Sequence, residues 1–287
     1  MLPLFVVDAF TDEPFRGNPA AVCVLPAGGA FPADGWMLAV AAEMRHSETA
    51  FVRRRVSAAS AAGGSDWDLR WFTPAVEVDL CGHATLATAH VLTTEGFVDL
   101  EAPVRFHTRS GTLVAAPVDP AVGGGVGGIE LDFPALASAP DDDATLAAVV
   151  TAALGTAPVA ISRNVHDLLA ELPDAATVRD LAPDFAAIAA LDARAVVVTA
   201  ASDDPAFDFV SRCFGPRVGI DEDPVTGSAH CALAPYWASR VGRPALVGRQ
   251  VSARGGTVHC RVVRSDDGDR VRLAGTAITV SSGLLRA

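Results

Sequence analysis

Apolar and polar positions along this chain alternate between two periods, and the change of period marks the elements. Residues 4–10 and 20–25 are apolar runs rich in Val, Phe and Leu, flanking the turn-rich TDEPFRGNP; the pattern predicts two strands. Over 34–44, Trp36, Met37, Val40, Ala41 and Met44 recur at helical spacing, predicting a helix with one buried face. Strands follow at 50–54 and 67–72, separated by a small-residue loop over 58–65. A third pattern begins at Ala84. From there to Glu95 no charge occurs until the last residue, and Ala, Leu and Val recur on every side. A helix apolar all round is a buried helix, and Gly96 is its natural stop. Cys81-Gly82-His83 would turn the chain from the strand-like VEVDL into the N-terminus of that helix.

Strands predicted at 105–108 and 112–118 close the first half, and DPAVGGGVGG over 119–128 is the best linker. It contains a literal GxGxxG at Gly123, Gly125 and Gly128, but a strand pattern follows where a nucleotide-binding turn needs a helix. The second half reads as a strand at 129–133, a helix at 142–154 and short helical pieces around 178–191. Strands are predicted at 157–162, 166–171, 195–199, 207–212, 246–253, 257–264 and 270–281. A second central helix starts at Ser228 or Ala229, should kink at Pro235, and meets stop signals at Arg240, Gly242 and Pro244.

The two central helices resemble each other in sequence. Phe72-Thr73-Pro74 answers to Phe214-Gly215-Pro216, and Gly82-His83-Ala84 to Gly227-Ser228-Ala229, with a longer acidic loop (Asp221, Glu222, Asp223) in the second copy. An echo this far apart suggests two related domains, each around one helix, in an α+β architecture of curved, largely antiparallel sheets. The predicted domains are 1–120 and 129–287, leaving open a return of the last strand to the first domain. Two such helix starts facing one cleft would offer N–H groups and partial positive charge to a carboxylate from both sides.

The acidic balance, 34 Asp and Glu against 22 Lys and Arg in 287 residues, argues against nucleic acid or anionic membrane as a partner. No apolar run reaches membrane-spanning length, and the first residues read as a strand, not a signal peptide. The five cysteines (Cys23, Cys81, Cys213, Cys231, Cys260) form no CxxC pair and read as reduced, buried thiols of a cytosolic protein. Cys81 with His83, and His230 with Cys231, match no common zinc spacing, so no metal is expected.

Several side chains could carry chemistry. Glu48, in RHSETAFV at the mouth of a strand, is either an exposed edge residue or a carboxylate in a partly dry site able to exchange protons near neutrality. Asp223 precedes Pro224 and is held extended, either aiming its loop at the following helix or serving as turn chemistry alone. Ser228 is the expected N-cap of the second helix. His83, at the other helix start, is expected neutral because the dipole disfavours its cation. A hydrolase triad of Ser228, His83 and Asp223 lacks the G-x-S-x-G elbow. Cys81 at a helix N-terminus is a candidate nucleophile, but its counterpart in the echo is Thr226, which excludes a symmetric pair of thiols.

The segments VDAFTDEPFRGNPAAVCVL, SETAFV, RWFTPAVEVDLCGHATLATAHVL, GIDEDPVTGSAHCALAPYW and QVSARGG together resemble the PhzF-like phenazine-biosynthesis isomerase family over essentially the whole chain. The resemblance implies a diaminopimelate epimerase-like fold: two similar domains, each a barrel-like, mostly antiparallel sheet wrapped around a central helix. It implies that Glu48 is a general base that takes a proton from one carbon and returns it to another. Asp223, His83 and Ser228 fall on supporting catalytic positions, and Gly82, Gly227 and Asn18 on substrate-binding ones. The founding members isomerise dihydro-3-hydroxyanthranilate without a cofactor. A cytoplasmic homodimer acting on a small molecule is expected by the same resemblance. An amino-acid epimerase or racemase, and a catalytically silent binding protein of the same fold, are the alternatives.

Overall fold

The computed structural model describes residues 1–56, 65–99, 103–118 and 128–286. Most of the loop expected at 58–65 and of the linker expected at 119–128 lies outside these, including Gly123 and Gly125. The chain divides into two compact units: Met1–Asp132 with Ala274–Ala287, and Phe133–Leu273. The C-terminal strand belongs to the first unit.

In that first unit, β1 (Leu2–Ala9) pairs antiparallel with β2 (Asn18–Leu25). Helix α1 (Asp34–Met44) then returns the chain so that β3 (Glu48–Arg54) runs parallel to β2. Antiparallel to β3 lies β4 (Ser65–Phe72), which carries the two-residue β5 (Glu77–Val78). After α2 (Gly82–Thr94), β6 (Val104–Thr108) lies parallel to β4, and β7 (Gly111–Val118) turns back on β6. From β7 the chain continues into β8 (Gly128–Pro134), paired antiparallel with it.

The second unit repeats this order of pairings. After β9 (Ala139–Pro140) and α3 (Ala144–Leu154), β10 (Ala160–Arg163) pairs antiparallel with β11 (Leu168–Glu171). Two short helices, α4 (Ala175–Asp180) and α5 (Phe185–Ala190), lead to β12 (Val196–Ala201), parallel to β11. Antiparallel to it lies β13 (Phe209–Gly215), which carries β14 (Ile220–Asp223). After α6 (Gly227–Val241), β15 (Ala245–Gln250) is parallel to β13, and β16 (Gly256–Val263) turns back on it. Both units thus run antiparallel, parallel, antiparallel, parallel, antiparallel, with the long helix after the short side strand. The echo read from two helix starts extends to the whole connectivity.

The buried character of α2 holds: every residue from His83 to Ala89 is buried. Its threonines fit there because Thr85 and Thr88 donate to the carbonyls of Cys81 and Ala84, both at 2.6 Å. Helix α6 passes through Pro235, whose missing N–H leaves the Cys231 carbonyl without its helical donor. The Leu136 N–H takes up that carbonyl at 3.0 Å. Gly242, at φ 76°, ends α6 in the left-handed conformation that glycine tolerates.

Three expectations need correction. The run 270–281 is two strands, β17 (Arg270–Gly275) and β18 (Ala277–Leu285), because the Thr276 carbonyl turns to accept the N–H groups of Phe10 and Thr11. The acidic loop contains β14, formed because a 3-10 turn at Pro216–Val218 and left-handed Gly219 fold the chain back on β13. Arg212 meets both oxygens of Glu222 there, which offsets one of its charges. Finally, both central helices begin at their glycine, so the N-cap of α6 is Thr226 and Ser228 sits within the first turn. Among the described residues no helix is long and apolar enough to cross a membrane.

Candidate active site

In the first unit, strand pairing sets the candidate residues at one end of the sheet. Asn18 opens β2 and Glu48 opens the parallel strand β3, where Glu48 stands opposite Ala20. Asn18 is fully buried, and the Glu48 side chain is 13% exposed. Cys81, extended at φ −146°, caps α2, and Gly82 and His83 form its first residues. His83 Nε2 lies 3.3 Å from Glu48 Oε2, and Cys81 Sγ lies 3.5 Å from His83 Nδ1. The Glu48–His83 approach is a close contact without the alignment of a hydrogen bond.

Burial lowers the His83 pKa to about 3, with His46 adding to the shift, so the ring is neutral at neutral pH as its position at a helix start implied. A carboxylate can only accept, so the tautomer that serves both contacts carries its proton on Nε2. The bare Nδ1 then accepts from the Cys81 thiol. One ligand atom from each of Glu48, Cys81 and His83 falls within 4.8 Å of the others, the spacing a metal would need. The ring's two nitrogens face different neighbours, however, and an imidazole gives only one nitrogen to an ion. The set suits proton transfer better than tetrahedral coordination. Burial pushes the Cys23 thiol up to about 12 and raises Cys213 and Cys260 as well, in keeping with inert structural thiols.

In the second unit, Asp223 ends β14 and Gly227 and Ser228 open α6. Thr226 donates from Oγ1 to Asp223 Oδ2 at 2.5 Å, fixing that carboxylate at the helix start. The buried Gln250, at the end of β15, accepts from the Thr226 N–H (2.9 Å) and donates to the Asp223 carbonyl (2.7 Å). Ser252 donates to the Pro224 carbonyl at 2.7 Å. Gln250 and Ser252 of QVSARGG therefore hold the DPVT loop.

The two helix starts are built alike beyond their sequence match. Each N-cap carbonyl receives a side-chain donor from four residues on: Thr85 Oγ1 onto Cys81 (2.6 Å), and His230 Nδ1 onto Thr226 (2.8 Å). A carbonyl only accepts, so His230 carries its proton on Nδ1. Ser228 Oγ accepts from Arg194 Nη2 at 3.1 Å, a partner that no sequence signal indicated. Glu48, His83 and Gly82 are thus gathered in the first unit, and Asp223, Gly227 and Ser228 in the second.

The α+β fold of two units with one strand order is an epimerase-like fold. A hydroxyproline epimerase from Agrobacterium vitis shares the fold at a TM-score of 0.60 and 11% identity, over 98% of this chain and 91% of that one. The sequence profile described as phenazine biosynthesis-like protein matches residues 7–283, and the chain belongs to that family. It is 42% identical over 278 residues to a protein of Halalkalibacterium halodurans named as an uncharacterized isomerase, covering 97% of this chain and 96% of that one. The crystal structure of a PhzF-family phenazine biosynthesis protein from Enterococcus faecalis superposes at a TM-score of 0.84 with 39% identity, over 100% of this chain and 99% of that one.

Proposed function

We propose that this protein is an isomerase that moves a proton between carbons of a small, cyclic, carboxylate-bearing metabolite, of the kind represented by dihydro-3-hydroxyanthranilate, without a cofactor. The observation that carries this reading is Glu48 in a mostly buried setting, 3.3 Å from a neutral His83. A carboxylate shielded from water can take a proton from an activated C–H, hold it, and return it to a second carbon. The C–H bond breaks with its electron pair delocalised into the adjacent unsaturated system, and the new C–H bond re-forms from the protonated carboxyl. The imidazole N–H of His83 is in reach of Glu48 Oε2 and steadies the ionised form that stands before the first transfer and after the second; between them the carboxyl carries the proton. Asp223 and Ser228 take supporting roles, and Gly82, Gly227 and Asn18 contribute to substrate binding.

The epimerase or racemase reading is weaker because a two-base inversion would need a second acid at Thr226. The Thr226 hydroxyl is already given to Asp223 at 2.5 Å. The test is incubation of cyclic unsaturated carboxylates with the enzyme in D2O. Solvent deuterium should enter ring carbon in the wild type and not in Glu48→Gln. A ligand that binds tightly and is recovered unlabelled and unchanged would favour a binding protein. A homodimer in the cytoplasm completes the proposal, and a concentration-independent monomer in sedimentation would contradict the dimer.

A further inference from the structure

Arg194 lies in the turn before β12, where its backbone N–H donates to the His166 carbonyl at 2.7 Å. Its guanidinium grips Asp167 with two bonds, Nε to Oδ1 at 2.9 Å and Nη2 to Oδ2 at 2.6 Å. Asp167 is 2% exposed, whereas the Arg194 side chain is 40% exposed, so the fork is anchored at its buried end and open at the other. Asp167 itself is fixed by Asn164, whose Oδ1 accepts its N–H at 2.9 Å. Burial works against the Arg194 charge, but the bonds to Asp167 more than offset this and hold its pKa above the ordinary value. The remaining contact of Nη2 is Ser228 Oγ at 3.1 Å.

Guanidinium nitrogens only donate, so this contact commits the serine oxygen to accepting and leaves its single O–H to be given elsewhere. Within α6 the hydroxyl would ordinarily back-bond to a carbonyl one turn earlier. The Pro224 carbonyl, four residues before it, is taken by Ser252. Among the described residues the Ser228 O–H has no acceptor. Ser228 is half-buried, which leaves it within reach of a ligand.

We infer that Arg194, locked on Asp167, is a positioning residue that turns the Ser228 hydroxyl into an outward-facing donor for the carboxylate of the substrate. This deepens the isomerase reading and rests on it for the word substrate, but its geometry lies wholly within the second unit. Because Asp167 neutralises the guanidinium, the effect is directional more than one of net charge. A lysine could pair with Asp167 but could not also reach Ser228 in the same plane.

The test uses the full chain with benzoate as probe, followed by NMR at the Gly227 and Ser228 amides. Benzoate should shift both resonances in the wild type. Ser228→Ala should weaken it about tenfold, the loss of one hydrogen bond to a charged group. Arg194→Met combined with Asp167→Asn removes the cation without stranding a buried carboxylate, and should show the same loss. The triple variant should be no worse than either, since the two residues act through one hydroxyl. If the Met–Asn pair does not fold, Arg194→Lys gives the same comparison and should also lose about tenfold. Wild-type amides unmoved by benzoate, unchanged affinity in the Arg194 variants, or additive losses would each overturn the inference. None of these results depends on turnover. Deuterium exchange that survives Glu48→Gln would refute the isomerase mechanism while leaving the benzoate result standing.

Discussion

His83 Nε2 stands 3.3 Å from Glu48 Oε2, although 35 residues separate them in sequence and they belong to different elements, α2 and β3. Two features of the chain produce that approach. The parallel pairing of β3 with β2 places Glu48 at a strand mouth, and the first residue of α2 being Gly82 puts His83 one position into its first turn. The neighbourhood is dry enough to keep the imidazole neutral, with its pKa about 3, so the approach to the carboxylate is a close contact and not a salt bridge.

The buried histidines should make stability depend on pH in a known direction. His83 and His230 have folded-state values of about 3 and about 4, both set first by burial, against an ordinary 6.5. As pH falls below 6.5 the unfolded chain takes up protons that the folded chain refuses. Their contribution is therefore intact above about 6.5 and is lost progressively toward about 4 and then 3. Urea denaturation of the wild type should show stability falling through this window. His230→Gln should reduce the slope there by up to about one proton, roughly 1.4 kcal/mol per pH unit. An unchanged slope would mean that His230 titrates normally.

Gln250 should matter more than its neutral side chain suggests. It bonds the Thr226 N–H, the Asp223 carbonyl and, at 3.2 Å, Thr226 Oγ1, and it is fully buried. Gln250→Leu strands these groups, and each unsatisfied polar group costs about 1–3 kcal/mol. A destabilisation of at least about 2 kcal/mol in equilibrium unfolding is expected, together with shifted amide resonances across residues 223–228. A near-neutral substitution would show that the loop is held by other contacts.

The packing around α6 leaves no room at Gly248 in β15. A Cβ there would lie 2.5 Å from Phe209 Cζ and 3.1 Å from His230 Cδ2, and the Phe209 ring is in turn stacked on Trp237 at 6.0 Å. Gly248→Ala should cost about 1–3 kcal/mol through overpacking. Gly155→Ala meets no such neighbour and is penalised only for its φ of 71°. Thermal melts of the two variants separate these causes: the Gly248 variant should lose more.

Much of this could be read in the sequence because it was written locally. The uncharged run through α2, the Gly-His-Ala and Gly-Ser-Ala helix starts, and the stop at Gly242 are signals carried by neighbouring residues. What escaped depends on contacts across long stretches of chain. The segment IDED looks like an acidic loop until β13 is seen to pair with it and Arg212 to cover Glu222. Ser228 matches an N-cap by residue type, yet Thr226 holds that position, and Arg194, 34 residues upstream, decides what the Ser228 hydroxyl does. The repeated strand order was visible only as a short echo, since β-pairing constrains hydrophobic alternation and leaves residue identity free.

In the proposed reaction Glu48 carries the proton. The most direct test is single-turnover incorporation of solvent deuterium into dihydro-3-hydroxyanthranilate by the wild type and by Glu48→Gln at matched folding. Labelled, isomerised product is expected from the wild type, with a rate at least about a hundredfold lower in the variant, the scale of a lost general base. Equal rates of labelling in the two proteins would contradict that role for Glu48.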